Sequence, residues 1–347
     1  MDINTNGLQE KISPIINGEE VVFIYHGKAE TVFLAGDYNR WELEDRMQKL
    51  PDRDLWFIKK NFPYNSRFDY KYIVDGNWIT DPLNENRTPG GSGDNSTLIM
   101  PGYKSNYREI IDREVPRGTV ITNLEYPSNN LGVGMRYHIY LPFNYKKEEM
   151  HHFLYALDGS DYLNFSKIHH ILDVMIHEGE LPKIAAVLAD PHDRTREYTL
   201  YKPYYNYIIQ ELMPFVENEY LSQPSKIRRS VIGVSWGGLT AIYLAAKTPG
   251  TFNRVLSQSG SFWPRDWLIF DMVKRAKTPP IHFCLQTGTI EDTEEMNDAM
   301  AELLQEKGYS LNYVKYAETH SWYNWKGHLD EGLRELYSDV KSKGPEE

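Results

Sequence analysis

Between residues 20 and 100, apolar and polar positions alternate over short runs: EVVFIYHG, TVFLAGDY, DLWFIKKNF, FDYKYIVDG and NSTLIM, each separated by Gly, Asn, Asp or Pro. Alternation with period two suits a strand that buries one face. This spacing of strands and turns predicts a small antiparallel β-sandwich over residues 1–102, with TPGGSGDN at 88–95 as a loop. From about residue 118 the texture changes. MRYHIYLP, HFLYALDG, KIAAVLAD, SVIGVS, RVLSQSG, IHFCLQTG and NYVKYAE are bare apolar runs of strand length, with helix-length segments between them. Such runs fit strands buried on both faces, so residues 118–347 are predicted to form an α/β unit, a mostly parallel sheet flanked by helices. YREIIDREVPRG falls between the two and is read as part of a linker over 103–117. No internal repeat is visible.

Length and charge narrow this picture. The chain has 347 residues, more than one usual domain, in keeping with two units. Its 38 Lys+Arg against 49 Asp+Glu give a formal net charge of −11, which disfavours general affinity for nucleic acid or an anionic membrane. No apolar run approaches the roughly 20 residues of a membrane span. The single cysteine, Cys284, cannot form an internal disulfide, and MDINTNGLQEKI has neither the basic nor the apolar region of a signal peptide. A cytoplasmic protein is the expectation.

The candidate chemistry starts at SVIGVSWGGLT. Gly233-Val234-Ser235-Trp236-Gly237 fits G-x-S-x-G, an apolar run precedes it, and Leu239, Ile242, Tyr243 and Ala246 follow at helical spacing. Strand, sharp turn and helix are the setting of a nucleophilic serine; a serine that merely caps the helix is the plainer alternative. A serine hydroxyl needs a histidine to take its proton and a carboxylate to orient that histidine, and in α/β-hydrolase order both follow the serine. Three histidines do. His282 lies inside a strand-like run, and His328 lies in the helical segment WKGHLDEGLRELY, read as surface or packing. His320 follows the last strand-like run in a loop and is the expected base. For the acid, Glu291 and Asp292 stand just beyond a strand end, although Asp292 with Glu295 also reads as a capping box. An oxyanion needs two converging N–H groups: Trp236 is expected to supply one, and Ser160, in YALDGSDY, the other. The adjacent pairs His151-His152 and His169-His170 do not converge on a metal, no HExxH or CxxC occurs, and no cofactor is expected.

Six stretches taken together, YALDGSDY, DPHDRTREY, VIGVSWGGLTAIYLAAKTPGTF, LSQSGSFW, TGTIED and HSWYNWKGHL, resemble the esterase family that contains enterochelin esterases and the feruloyl and acetylxylan carbohydrate esterases. FLAGDYNRW, FDYKYIVDGNWITDP and NSTLIMP resemble the early-set, immunoglobulin-like domains of the glycogen-binding type. The resemblance implies an α/β-hydrolase domain behind an immunoglobulin-like sandwich, with Ser235 as nucleophile and His320 as base. It favours Asp292 over Glu291 or Glu294 as the acid. It also implies Asp158, Arg194, Glu197, Trp263 and Trp322 as substrate-lining residues, with Arg194 and Glu197 alternatively structural, and Trp41, Trp56 and Trp78 as candidates for a sugar platform or, as tryptophans in such motifs more often are, core residues. The implied activity is serine carboxylic-ester hydrolysis on a small-molecule or glycan ester, with room for a homodimer. A catechol-siderophore trilactone is preferred, and a feruloyl or acetyl sugar is the alternative. Near the histidine the enterochelin esterases read G-G-H-D where this chain has Glu318-Thr319-His320-Ser321, which bears on substrate rather than on the base. Arg194, Arg196, Lys202, Arg265 and Lys326 lie in or beside the motifs expected to border the serine. Acyl transfer to an acceptor other than water, and a binding protein with an inactive hydrolase domain, are the rival readings.

Overall fold

A computed structural model describes residues 12–90, 93–150, 152–223, 227–277 and 280–340. The chain divides into two compact units: residues 1–104 with 288–292 and 316–321, and residues 105–287 with 293–315 and 322–347.

In the first unit the described strands are Ile15–Asn17 (β1), Glu20–His26 (β2), Val32–Gly36 (β3), Asp45–Arg46 (β4), Gln48–Lys49 (β5), Leu55–Asn61 (β6), Arg67–Val74 (β7), Asn77–Ile79 (β8), Arg87–Thr88 (β9) and Asn95–Ile99 (β10). They form two antiparallel sheets, ordered β1-β2-β6-β5 and β4-β3-β7-β10-β9, with β8 on β7. Val21 and Phe23 from the first sheet meet Leu34, Phe68, Tyr70, Tyr72 and Leu98 from the second in one apolar cluster, the expected sandwich. The buried Asp81 carboxylate accepts the Tyr70 and Tyr72 hydroxyls at 2.8 and 2.9 Å.

The second unit is built on Thr119–Ser128 (β11), Val133–Leu141 (β12), His152–Leu157 (β13), Ile184–Ala189 (β14), Arg228–Val234 (β15), Arg254–Gln258 (β16), His282–Gly288 (β17) and Ser310–Tyr316 (β18), in the order β11-β12-β14-β13-β15-β16-β17-β18. β11, β12 and β14 pair antiparallel; β14, β13, β15, β16 and β17 pair parallel. The bare apolar runs now have their reason. Tyr155, Val231, Val255 and Phe283 enter one core cluster, while their neighbours Leu154, Ile232, Leu256 and Cys284 enter another, so both faces of the central strands are covered. Among the described residues no helix is long and apolar enough to cross a membrane.

The division differs from the sequence expectation in two places. The 103–117 stretch is not a free linker, because its helix Tyr107–Ile111 buries Ile110 in a cluster with Leu172, Leu333 and Leu336. The segments 288–292 and 316–321 group with the sandwich, which no periodicity announced.

Candidate active site

β15 ends at Val234 and a helix runs from Trp236 to Lys247, so Ser235 forms the whole turn. Its backbone sits at φ 54°, ψ −120°, a strained conformation for a residue with a side chain. Neighbouring backbone fixes it there: Ser235 N–H donates to Gln258 O at 2.8 Å, and Ser235 O accepts from Ser261 N–H at 3.1 Å and from Leu239 N–H at 3.2 Å. A Cβ on Gly233 would lie 2.3 Å from the Gly237 carbonyl carbon, and one on Gly238 would lie 2.4 Å from Ser257 Oγ. Close backbone approach therefore demands glycine at 233, and the Ser257 hydroxyl demands it at 238, whereas a Cβ on Gly237 would come no nearer than 3.2 Å, to Asp158 Oδ2. The plain capping alternative fails, since the Ser235 side chain makes no cap hydrogen bond and instead has Ser261 Oγ 3.2 Å from its own Oγ. Ser261 was not singled out from sequence, and its only signal was LSQSGSFW.

Around the turn, Asp158 is buried and grips Arg194 in a two-pronged pair, Nε–Oδ1 and Nη2–Oδ2 both 2.8 Å. Burial works against charge on Arg194, but the hydrogen bonds and charge of Asp158 outweigh it and hold the guanidinium above its ordinary value. The same guanidinium lies 5.2 Å from the Tyr198 ring centre and 5.9 Å from that of Trp236. Trp263 is half exposed and meets Trp236 edge-on at 5.5 Å. Trp322 is part of an aromatic group with Tyr162, Phe165 and Trp325.

Two expectations do not hold. The Ser160 N–H, assigned to the oxyanion, is engaged with Asp190 Oδ1 at 2.6 Å, and its Oγ with Asp190 Oδ2. Burial opposes ionisation of Asp190, yet hydrogen bonds from His138 and Ser160 prevail and keep its carboxyl below the ordinary range. His138 Nδ1 accepts the Asn123 N–H at 3.1 Å, which places the ring proton on Nε2, 3.0 Å from Ser160 Oγ. This network was missed because β12 and β14 bring together residues far apart in sequence. Glu197 is also no lining residue: it is buried, and its carboxylate accepts His192 N–H at 3.0 Å and Asp193 N–H at 3.2 Å, fastening the turn that presents Arg194.

The acid and base candidates lie in the two segments that group with the sandwich. His320 Nδ1 stands 2.7 Å from Asp292 Oδ1, and Asp292 Oδ2 accepts Gly288 N–H at 2.6 Å. The Asp292 side chain is fully buried while that of His320 is one-third exposed. The rival acids have other partners: Glu291 pairs with Arg40 at 2.9 Å and Glu294 with Lys315 at 2.9 Å. Asp292 is not a helix cap, since the helix Glu294–Glu306 is preceded by Thr293. His282 bonds Ser310 Oγ at 2.8 Å, and His328 is buried at a helix start with its carbonyl accepting from Gln286, as structural residues would.

Among the described residues no group of three His, Cys, Asp or Glu side chains could hold a metal ion, and His151 lies outside them. Of the platform candidates, Trp56 is buried, whereas Trp41 and Trp78 pair at 6.1 Å with Trp78 about half exposed.

The sequence model of the family described as "Putative esterase" matches residues 128–336. The chain belongs to this family. It is therefore a carboxylic ester hydrolase, and the model described as "Glycogen recognition site of AMP-activated protein kinase" matches residues 19–99 of the same chain. The iron(III) enterobactin esterase of Dickeya dadantii is 27% identical over 74% of this chain and 65% of its own length. The crystal structure of the enterobactin esterase from Shigella flexneri, determined in the presence of enterobactin, shares the fold with a TM-score of 0.75, 23% identity, and coverage of 92% of this chain and 93% of that one. A ferulic acid esterase structure matches with a TM-score of 0.55 and 16% identity over 63% of this chain and 98% of its own. The esterase unit thus has the α/β-hydrolase fold, and the β-sandwich that precedes it in the sequence is the part matched by the glycogen-recognition model.

Proposed function

We propose that this esterase works through an acyl-enzyme on Ser235, with His320 as general base, Asp292 as the orienting acid and the Trp236 N–H as an oxyanion donor. The observation that carries the proposal is the 2.7 Å bond between His320 Nδ1 and Asp292 Oδ1. A carboxylate accepts there, so the ring proton is on Nδ1, and Nε2 is the nitrogen left to take a proton. Ser235 Oγ attacks the ester carbonyl while its proton passes to Nε2. The tetrahedral oxyanion collapses, and the alcohol leaves with that proton. Water then attacks the acyl-serine by the same base, releasing the carboxylic acid and restoring Ser235. The strained backbone at Ser235 supports the nucleophile role, and the intact Asp–His pair speaks against an inactive binding protein.

We assign the substrate to the catechol-siderophore trilactones on the likeness to enterobactin esterases. A cytoplasmic setting is part of the proposal; the single cysteine is buried and asks for no oxidising compartment. A carbohydrate ester is the second reading, favoured by the glycogen-recognition match and the paired Trp41 and Trp78. A ferric tris-catecholate is strongly anionic, whereas a feruloyl or acetyl sugar is neutral, and only the former gains from cationic residues against a net charge of −11. The test offers the purified enzyme a ferric trilactone siderophore and methyl ferulate side by side at two ionic strengths. Turnover of the siderophore that weakens as salt rises is expected. Turnover of ferulate alone, indifferent to salt, would move the enzyme to the carbohydrate esterases.

A further inference from the structure

The loop carrying Asp292 is fastened to the sandwich on its N-terminal side. Ile290 packs against the apolar cluster formed by Phe23, Leu34, Tyr70 and their neighbours, although it follows a strand of the other sheet. Glu291, the residue before the acid, sits at φ 48° and pairs through Oε2 with Arg40 Nε at 2.9 Å. Arg40 is itself presented by a braced turn. Asn39 Oδ1 accepts Gly36 N–H at 2.9 Å, Trp41 N–H donates to Gly36 O at 2.9 Å, Trp41 Nε1–H donates to Asp37 Oδ1 at 3.0 Å, and Asp37 Oδ2 accepts Asp69 N–H from β7 at 3.0 Å. On the other side the loop is laced to the histidine segment: Thr289 N–H donates to Tyr316 O at 2.9 Å and Ile290 N–H to Glu318 O at 3.1 Å. A continuous run of bonds and packing therefore leads from β7 through the 37–41 turn to Glu291, Asp292 and His320.

From this we infer that the β-sandwich is a positioning element of the hydrolytic site, with Arg40 and Ile290 holding the 288–292 loop so that Asp292 keeps its bond to His320. The inference rests on the assignment of Asp292 and His320 as acid and base. Neither Arg40 nor Ile290 touches a reacting atom; both act through Asp292. The Arg40–Glu291 pair is exposed, so its share is modest, and the packing of Ile290 is the larger anchor.

The test uses the full chain and a nitrophenyl ester. Arg40→Glu sets a like charge against Glu291 and should lower kcat about two- to fivefold with KM unchanged, the range open to an exposed pair. Ile290→Ala should lower kcat about tenfold. The double exchange Arg40→Glu with Glu291→Arg should restore kcat. In an Asp292→Asn background Arg40→Glu should have no further effect, because the residue it acts through is already disabled. The downfield NMR signal of the imidazole proton shared with Asp292 should weaken in Arg40→Glu while thermal unfolding stays unchanged. Equal losses from Arg40→Glu with and without Asp292→Asn, or an effect on KM alone, would overturn the positioning role. If Asp292→Asn is impaired and Arg40→Glu and Ile290→Ala are both fully active, the positioning role falls and the acid assignment stands. Full activity in Asp292→Asn removes the acid assignment, and the positioning role with it.

Discussion

At Ser235 the backbone does the positioning. The residue is held at φ 54°, ψ −120° by three main-chain hydrogen bonds, and a single methyl group at Gly233 would meet main-chain carbon at 2.3 Å. At Asp292 and His320 side chains do it: a 2.7 Å carboxylate–imidazole bond, a carboxylate oxygen accepting from Gly288 N–H, and neighbouring residues tied by packing and an exposed ion pair. The first arrangement is steric and close to all-or-none, since backbone has nowhere to shift in a packed sheet. The second is a sum of modest polar and packing terms and yields by degrees. The nucleophile's place is therefore determined by main chain, that of its own strand–turn–helix together with residues 258 and 261 at the end of the neighbouring strand, while the acid and base depend on side-chain contacts between segments distant in the chain.

That contrast is open to attack in order of effect. Removing the base is the most severe change: His320→Ala should lower kcat by roughly 10³–10⁶, and the double variant with Ser235→Ala should be no worse than either alone, because triad members act as a unit. Additive losses would mean that the two do not work together. Asp292→Asn should cost less, about 10²–10⁴, while Glu291→Gln should stay within a few-fold of wild type. If Glu291→Gln is the more damaging change, the acid is misassigned. Gly233→Ala should lower kcat by about 10² or more without abolishing the circular dichroism of the folded chain, and a mild effect would show that the turn is not sterically determined.

The last test lies in the sandwich and reads stability rather than rate. Asp37 is pushed up to about 6 by burial first and by the neighbouring charge of Asp69 second. Its native-state value is raised above the unfolded one, so its charge is carried at a penalty above about pH 6, and stability is recovered as pH falls towards 4. The stability of wild type relative to Asp37→Asn, from denaturant unfolding followed by tryptophan fluorescence, should therefore improve by up to about 3 kcal/mol between pH 7 and pH 4. A difference that stays flat with pH would contradict this.

How much was legible in the sequence follows the same divide. G-V-S-W-G, the apolar run before it and the helical spacing after it are local signals, and the structure has the strand, turn and helix they imply. His320 and Asp292 were legible as residues just past strand ends, but what separates Asp292 from Glu291 is which carboxylate faces the imidazole and which faces Arg40, and that is decided by residues far apart in sequence. Ser160 was misread for the same reason. An Asp-Gly-Ser turn after a strand says nothing of Asp190, which arrives from β14 and takes the N–H. For Glu197 the resemblance left a lining and a structural role open, and its oxygens are turned inward onto two backbone amides, in keeping with the structural one. The grouping of 288–292 and 316–321 with the sandwich had no local signal, since a single isoleucine joining another core leaves no periodicity.

The central claim is that ester hydrolysis proceeds through Ser235, and a fluorophosphonate probe with peptide mapping tests it most directly. The account predicts one labelled peptide, modified at Ser235, with both the label and the cleavage of short-chain nitrophenyl esters lost in Ser235→Ala. Nitrophenyl ester cleavage at the wild-type rate by Ser235→Ala, or labelling of another serine with Ser235 unmodified, would contradict it.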